Sequence, residues 1–195
     1  LQTLAQRPDI LALSFPVTYW DYLGWKDTLA HPEYAERQRE YASVQGDGQV
    51  FTPEAVVNGM QACVGSDQEA IEAALKATSP AIKKEAVSLT LQRDGARLMV
   101  EAGAAPEGSK HNRGKLWVAL VRRSAPVSIG RGENAGRVVT YTNVVRHLAE
   151  AGEWQGAAAS YSVPLSAFPK DGDMFVAFLQ TDTLGPIVAA AQTKG

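Results

Sequence analysis

Val50-Phe51-Thr52-Pro53-Glu54-Ala55-Val56-Val57-Asn58-Gly59 is the stretch on which the reading of the fold turns. Ala55-Val56-Val57 is a short apolar run that stops at Asn58-Gly59. Asn-Gly between apolar segments marks a tight hairpin, because both central residues of such a turn need positive φ. The run is therefore a strand, and the returning strand lies around Gln61 to Val64.

Upstream, Leu1, Leu4 and Ala5 have helical spacing that Arg7-Pro8-Asp9 stops, as at the end of a helix. Ile10 to Val17 is apolar with little alternation, which fits a buried strand. His31-Pro32-Glu33 opens a helix, where proline suits the first turn. Glu33 and Arg37 have the i,i+4 spacing of an ion pair, and Tyr34 and Tyr41 share a face with Ala35 and Ala42. Downstream, Ser66-Asp67-Gln68-Glu69 reads as a capping box with serine at the helix start. Ile71, Ala74, Leu75 and Thr78 form that helix's apolar face, and Ser79-Pro80 is expected to end it. The expected domain boundary falls there, giving residues 1–80 and 81–195.

From Glu85 the period changes from 3.6 to 2. Val87, Leu89 and Leu91 alternate with polar residues, Asp94-Gly95 turns the chain, and Leu98 and Val100 return. Lys115 to Arg122 is apolar on both faces, as a central strand is. Val127–Ile129, Val138–Thr142, Ala158–Val163, Met174–Gln180 and Ile187–Ala191 add strands, and Val144 to Ala151 reads as a short helix ending at Gly152. Many short strands with Gly/Pro turns indicate a sandwich-like β-rich domain.

Composition narrows the function classes. With 45% hydrophobic and 21% charged residues the chain is an ordinary globular protein. A net charge of −2 and the lack of a long Lys/Arg run disfavour nucleic acid and anionic membrane as partners. No apolar run approaches the about 20 residues of a membrane span. Lys110, His111, Arg113 and Lys115, set among glycines, read as a solvated loop. Leu1 is not an initiator methionine, and a single cysteine forms no internal disulfide, so cysteine usage does not reveal the compartment.

The order helix end, strand, helix, X-Pro, strand, Asn-Gly, strand, helix resembles a thioredoxin fold without its first strand and most of its first helix. Residues 50–59 resemble the thioredoxin segment in which a cis-proline precedes a strand. Tyr19-Trp20-Asp21-Tyr22-Leu23-Gly24-Trp25-Lys26-Asp27, Val64-Gly65-Ser66-Asp67, Ile129-Gly130-Arg131-Gly132-Glu133-Asn134 and Tyr141-Thr142-Asn143-Val144-Val145-Arg146 together resemble a secreted proteobacterial thioredoxin-like family catalogued as a domain of unknown function. The resemblance implies an α/β thioredoxin-like domain, incomplete at its N-terminus, followed by the β-rich domain, and export to the periplasm or beyond. It also implies a Cys-x-x-Cys. The chain has none, so either that dithiol lies upstream of Leu1 or it has been lost.

Candidate substrate-binding residues follow from this. Thr52-Pro53 is expected to be cis and to offer backbone groups to an extended peptide; an ordinary trans proline at a strand start is the other reading. Tyr19, Trp20 and Asp21 follow a strand, where ligand sites of α/β sheets gather. They form either a substrate groove or packing that pins a loop. Cys63, between Ala62 and Val64, reads as a buried, inert thiol. Gly130 to Gly136 resembles a phosphate-binding glycine loop, but a strand rather than a helix is expected after it, which argues against nucleotide. His31, His111 and His147 lack metal-ligand spacing, and no cofactor or metal is expected. Two functions remain: an exported thiol–disulfide oxidoreductase working through an upstream Cys-x-x-Cys, or a non-catalytic module on a thioredoxin fold that binds a peptide or protein.

Overall fold

A computed structural model describes residues 1–19, 26–45, 48–130 and 136–193. After a single helical turn, α1 (Gln2–Ala5), come α2 (Pro32–Gln45), strands β1 (Glu54–Val57) and β2 (Gln61–Val64), and α3 (Gln68–Glu85). The strands β3 (Leu89–Asp94), β4 (Arg97–Ala102), β5 (Gly114–Ser128), β6 (Val138–Trp154), β7 (Ala159–Pro164), β8 (Met174–Thr181) and β9 (Ile187–Gln192) follow, with a 3-10 turn at Leu165–Ala167. They form three antiparallel sheets: β1-β2, β3-β4-β7 and β6-β5-β8-β9.

The α/β thioredoxin-like class expected for the first part is thereby corrected. Its defining feature, a sheet of strands 10–17 and 54–64 wrapped by helices, does not form among the described residues. Ile10 to Val17 makes one isolated parallel bridge, Ser14 to Val144, and otherwise lies as apolar packing on the four-stranded sheet. The apolar run was a sound sign of burial and a poor sign of strand pairing, because burial against a neighbouring face asks for the same residues. Sheet dominates the chain, and the β-rich part expected after the first helices is present.

The core of the sandwich lies between the two larger sheets. Leu98, Val100, Leu116, Val118, Leu179 and Trp154 are at most 1% exposed there. Period-two alternation sends the intervening residues of β5 and β8 the other way. Ala119, Val121, Val176 and Phe178 meet Tyr34 of α2 and Leu11, Leu13 and Phe15 on the sheet's second face. As its two-faced apolarity predicted, β5 is central, paired with β6 and β8.

Two further expectations give way. Val144 to Ala151 is strand, the middle of β6, not helix. Val144 and Val145 are both fully buried, one in each of two clusters on opposite sides, and a run buried on both faces is not separated from a buried helix by periodicity. α3 does not stop at Ser79-Pro80 but runs through Pro80 to Glu85. Proline 80 cannot donate a helical hydrogen bond. The Thr78 and Ser79 hydroxyls meanwhile donate to the carbonyls of Ala74 and Leu75 at 2.8 and 2.6 Å. The helix is capped by Asp67, whose carboxylate accepts from Ala70 N at 2.9 Å, rather than by Ser66. No helix among the described residues is long and apolar enough to cross a membrane.

Candidate functional site

Three segments distant in sequence meet beside β2. The Asn58-Gly59 turn has positive φ at both residues, 54° and 71°. Met60 N closes it on Val57 O at 2.9 Å. A Cβ on Gly59 would lie 2.3 Å from Gly185 O, so the turn butts against the β8–β9 turn. Ile187 N donates to Asn58 O at 2.9 Å, and Asn58 Nδ2 donates to Thr78 Oγ1 of α3 at 2.9 Å. Hairpin, helix and sandwich are thus fastened at one point.

The β8–β9 turn is itself unusual. Asp182 and Leu184 have φ of 52° and 55°. A left-handed conformation is uncommon for Asp and an outlier for Leu, with a cost of order 1–3 kcal/mol. The conformation is held by Gly185 N to Thr181 O and Thr181 N to Pro186 O, both 2.9 Å, and by Gln180 Nε2 to Gly185 O at 2.9 Å. Gln180 is 1% exposed. Its amide orientation is set by donation to Tyr41 Oη at 2.6 Å and by acceptance from Arg37.

Between this turn, β2 and the C-terminal end of α2 runs an open groove of about 630 Å³. Val44, Phe51, Met60, Val64, Leu184 and Pro186 give it an apolar lining. Val44, Met60 and Val64 are 52%, 38% and 46% exposed, and Val50 is exposed nearby, so an apolar patch faces water. β2 pairs only with β1 among the described residues. Its outward Ala62 N–H is taken by the Gln45 side chain, Oε1 accepting at 3.1 Å. The same amide's Nε2 is buried and has no hydrogen-bond partner among the described residues.

Cys63 lines the groove and is half-buried rather than fully buried. Burial pushes its thiol pKa up, and the carboxylates of Asp67 and Glu54 push it further. All three influences disfavour the thiolate that nucleophilic or redox chemistry requires.

The residues singled out from the sequence fall in different places. Thr52-Pro53 is cis, as expected. Pro53 is exposed, and its carbonyl accepts from Gly65 N at 2.8 Å. Its neighbour Phe51 is a groove residue. Tyr19 instead serves α2: its hydroxyl donates to Ala35 O at 3.0 Å and its ring lies 5.8 Å from the Arg39 guanidinium. Trp20 and Asp21 lie outside the described residues, as do residues 131–135 of the glycine loop. Strand β6, not a helix, follows that loop. Met60, Val44, Leu184 and Pro186 were not found from sequence. The usable signals were the apolar residue directly after Asn-Gly and the Gly185-Pro186 turn dipeptide with Leu184 before it.

A family model described as "Protein of unknown function (DUF1223)" matches residues 1–180, and the chain belongs to that family. Among curated proteins no relative matches. The chain is similar to the crystal structure of a protein from Agrobacterium tumefaciens, solved as a structural genomics target. The two are 28% identical with a TM-score of 0.85, over 100% of this chain and 85% of that one.

Proposed function

We propose that this DUF1223 protein is a non-catalytic binding module that takes an extended apolar segment of a peptide or protein into the groove beside β2. The observation that carries the reading is the groove itself: exposed Val44, Met60 and Val64 beside a strand edge whose Ala62 N–H is satisfied, among the described residues, by a glutamine side chain. Open strand edges recruit extended chains through main-chain hydrogen bonds, while side-chain pockets select among them. The strained Leu184 supports the same reading, since strain of this kind gathers at ligand-binding positions. Disulfide exchange is disfavoured as the activity of these 195 residues. They contain one cysteine, and partial burial, with Asp67 and Glu54 nearby, pushes its thiol pKa up, away from the thiolate. Placement in the periplasm or outside the cell rests on the motif resemblance alone, and cell fractionation tests it.

The binding test is fluorescence polarisation with a labelled library of apolar octapeptides. Wild type should retain a subset at micromolar affinity. Met60→Glu with Val64→Lys should weaken them at least tenfold with little change in melting temperature, because both side chains are exposed. A wild type that retains no peptide, or a double variant that binds as well, would overturn the proposal.

A further inference from the structure

The α2 helix carries two opposite charges one turn apart, Arg37 and Glu40, that do not pair with each other or with any other charge in ion-pair contact among the described residues. Such i,i+3 neighbours ordinarily meet. The Glu33–Arg37 pair expected from spacing does not form either. Arg7, Arg39 and Arg146 all hold carboxylates, at 2.7, 3.0 and 2.8 Å. Arg37 instead turns onto an aromatic wall. Its guanidinium carbon lies 5.3, 5.4 and 5.8 Å from the ring centres of Tyr41, Trp117 and Phe178. Nη2 donates to Gln180 Oε1 and, at 3.4 Å, to Tyr41 Oη. Nε and Nη1 have no acceptor among the described residues. Gln180 is locked by its own bonds, so the guanidinium is held in one orientation with donors to spare.

A cleft of about 260 Å³ lies against these groups, between α2 and the β5–β6 face of the sheet, with Trp117 and Leu148 as its apolar floor. That is just under the about 300 Å³ at which pockets for drug-sized ligands begin, so the ligand is small. Of the other charges around it, Glu36 is bound by Arg39 at 3.0 Å and Lys115 by Glu150 at 2.8 Å, while the exposed Glu33 lies 3.7 Å from His31 Nδ1, an ion pair only when that imidazole is protonated. Lys115 also feels Glu40 electrostatically without bonding it. What remains is one oriented cation, one carboxylate and an apolar floor.

We propose that this cleft binds a free α-amino acid with an apolar side chain. The ligand's carboxylate accepts from Arg37 Nε and Nη1, its ammonium donates to Glu40, and its side chain lies on Trp117 and Leu148. An anion alone would leave Glu40 without a partner, and a cation alone would face Arg37, so a zwitterion is the class that satisfies both. The site is separate from the groove beside β2.

Calorimetry and Trp fluorescence with L-phenylalanine and L-leucine test it, with 2-phenylethylamine and 3-phenylpropanoate as probes lacking one charge each. Phenylalanine should bind at least tenfold more tightly than either single-charge probe. Glu40→Gln, an exposed change, should weaken it about tenfold and Arg37→Gln should abolish it. Arg37 also braces Gln180, so if Arg37→Gln melts early, the wild-type comparison and Glu40→Gln carry the test. Absence of binding by either amino acid, equal binding of a single-charge probe, or an unchanged affinity in Glu40→Gln overturns the proposal.

Discussion

Gly59 shows how one residue position can fix the geometry of a site. Its φ of 71° is one that side chains resist, and a Cβ there would lie 2.3 Å from a backbone carbonyl, which cannot swing aside as a side chain does. Gly59→Ala should therefore destabilise the protein by about 2 kcal/mol or more, read as a lower denaturant midpoint. Gly95, also at positive φ (54°), has open space around its Cβ direction, so Gly95→Ala should cost only about 1 kcal/mol for backbone strain. Equal losses at the two positions would show that the contact between the Asn58-Gly59 turn and the β8–β9 turn contributes nothing beyond φ. Leu184 poses the opposite case: a bulky residue kept in left-handed backbone because its side chain is 7% exposed and forms the groove wall. Its placement was invisible in the sequence, since no local pattern calls for leucine at positive φ.

At the scale of elements, α3 separates two ways of reading the same four residues. Ser66-Asp67-Gln68-Glu69 offers both serine and aspartate as caps, and the structure uses Asp67. Asp67→Ala should cost about 1 kcal/mol by denaturant unfolding, whereas Ser66→Ala should leave stability unchanged. The reverse order would restore the serine cap. Hairpins were legible wherever a turn has its own chemistry, as at Asn58-Gly59 between β1 and β2 and Asp94-Gly95 between β3 and β4. Thr52-Pro53 was legible as a backbone feature. Long-range docking was not. Ser14 N donates to Asn143 O, Val145 N donates to Ser14 O, both at 2.9 Å, and Asn143 Nδ2 donates to Ala12 O at 2.9 Å. With Asn143 at a φ of 49°, the Tyr141 to Arg146 motif bends β6 around the 10–17 segment. That docking is a long-range contact, and nothing in the local pattern of Val144 to Ala151 separates the strand it makes from the short helix expected there. The groove is not legible for the same reason: residues 44–45, 59–64 and 184–186 carry no shared local pattern.

Across the whole molecule, the four-stranded sheet is covered on both faces, by the three-stranded sheet on one and by α2 with the 10–17 segment on the other. Tyr34 is a polar group committed to that second face. Tyr34 is 4% exposed, donates to Val145 O at 3.1 Å and packs edge-on against Phe15. Burial, the largest influence, pushes its pKa up to about 12; Arg146 pulls it down, while Glu33 and Asp171 add to the rise. Tyr141, whose hydroxyl donates to the buried Asp27 carboxylate at 2.5 Å, is raised as well, by burial first and then by Asp27. A tyrosine ionises to an anion, so a raised folded pKa means that folding favours the neutral form. The stability this contributes is fully present below the unfolded value near 10 and is lost as pH rises toward the folded value. The melting temperature should accordingly be insensitive to these groups up to about pH 10 and fall between about pH 10 and 12. Tyrosinate absorbance should lag the fully exposed value until unfolding begins, and Tyr34→Phe should flatten part of the fall while lowering the neutral-pH melting temperature through the lost bond to Val145. A melting temperature that stays level through this range, or a Tyr34→Phe profile parallel to wild type, would mean that the hydroxyl is reached by solvent. In that case the packing of α2 and the 10–17 segment onto the sheet, on which the orientation of Arg37 and the near wall of the groove both depend, would be looser than the contacts of Tyr34 require.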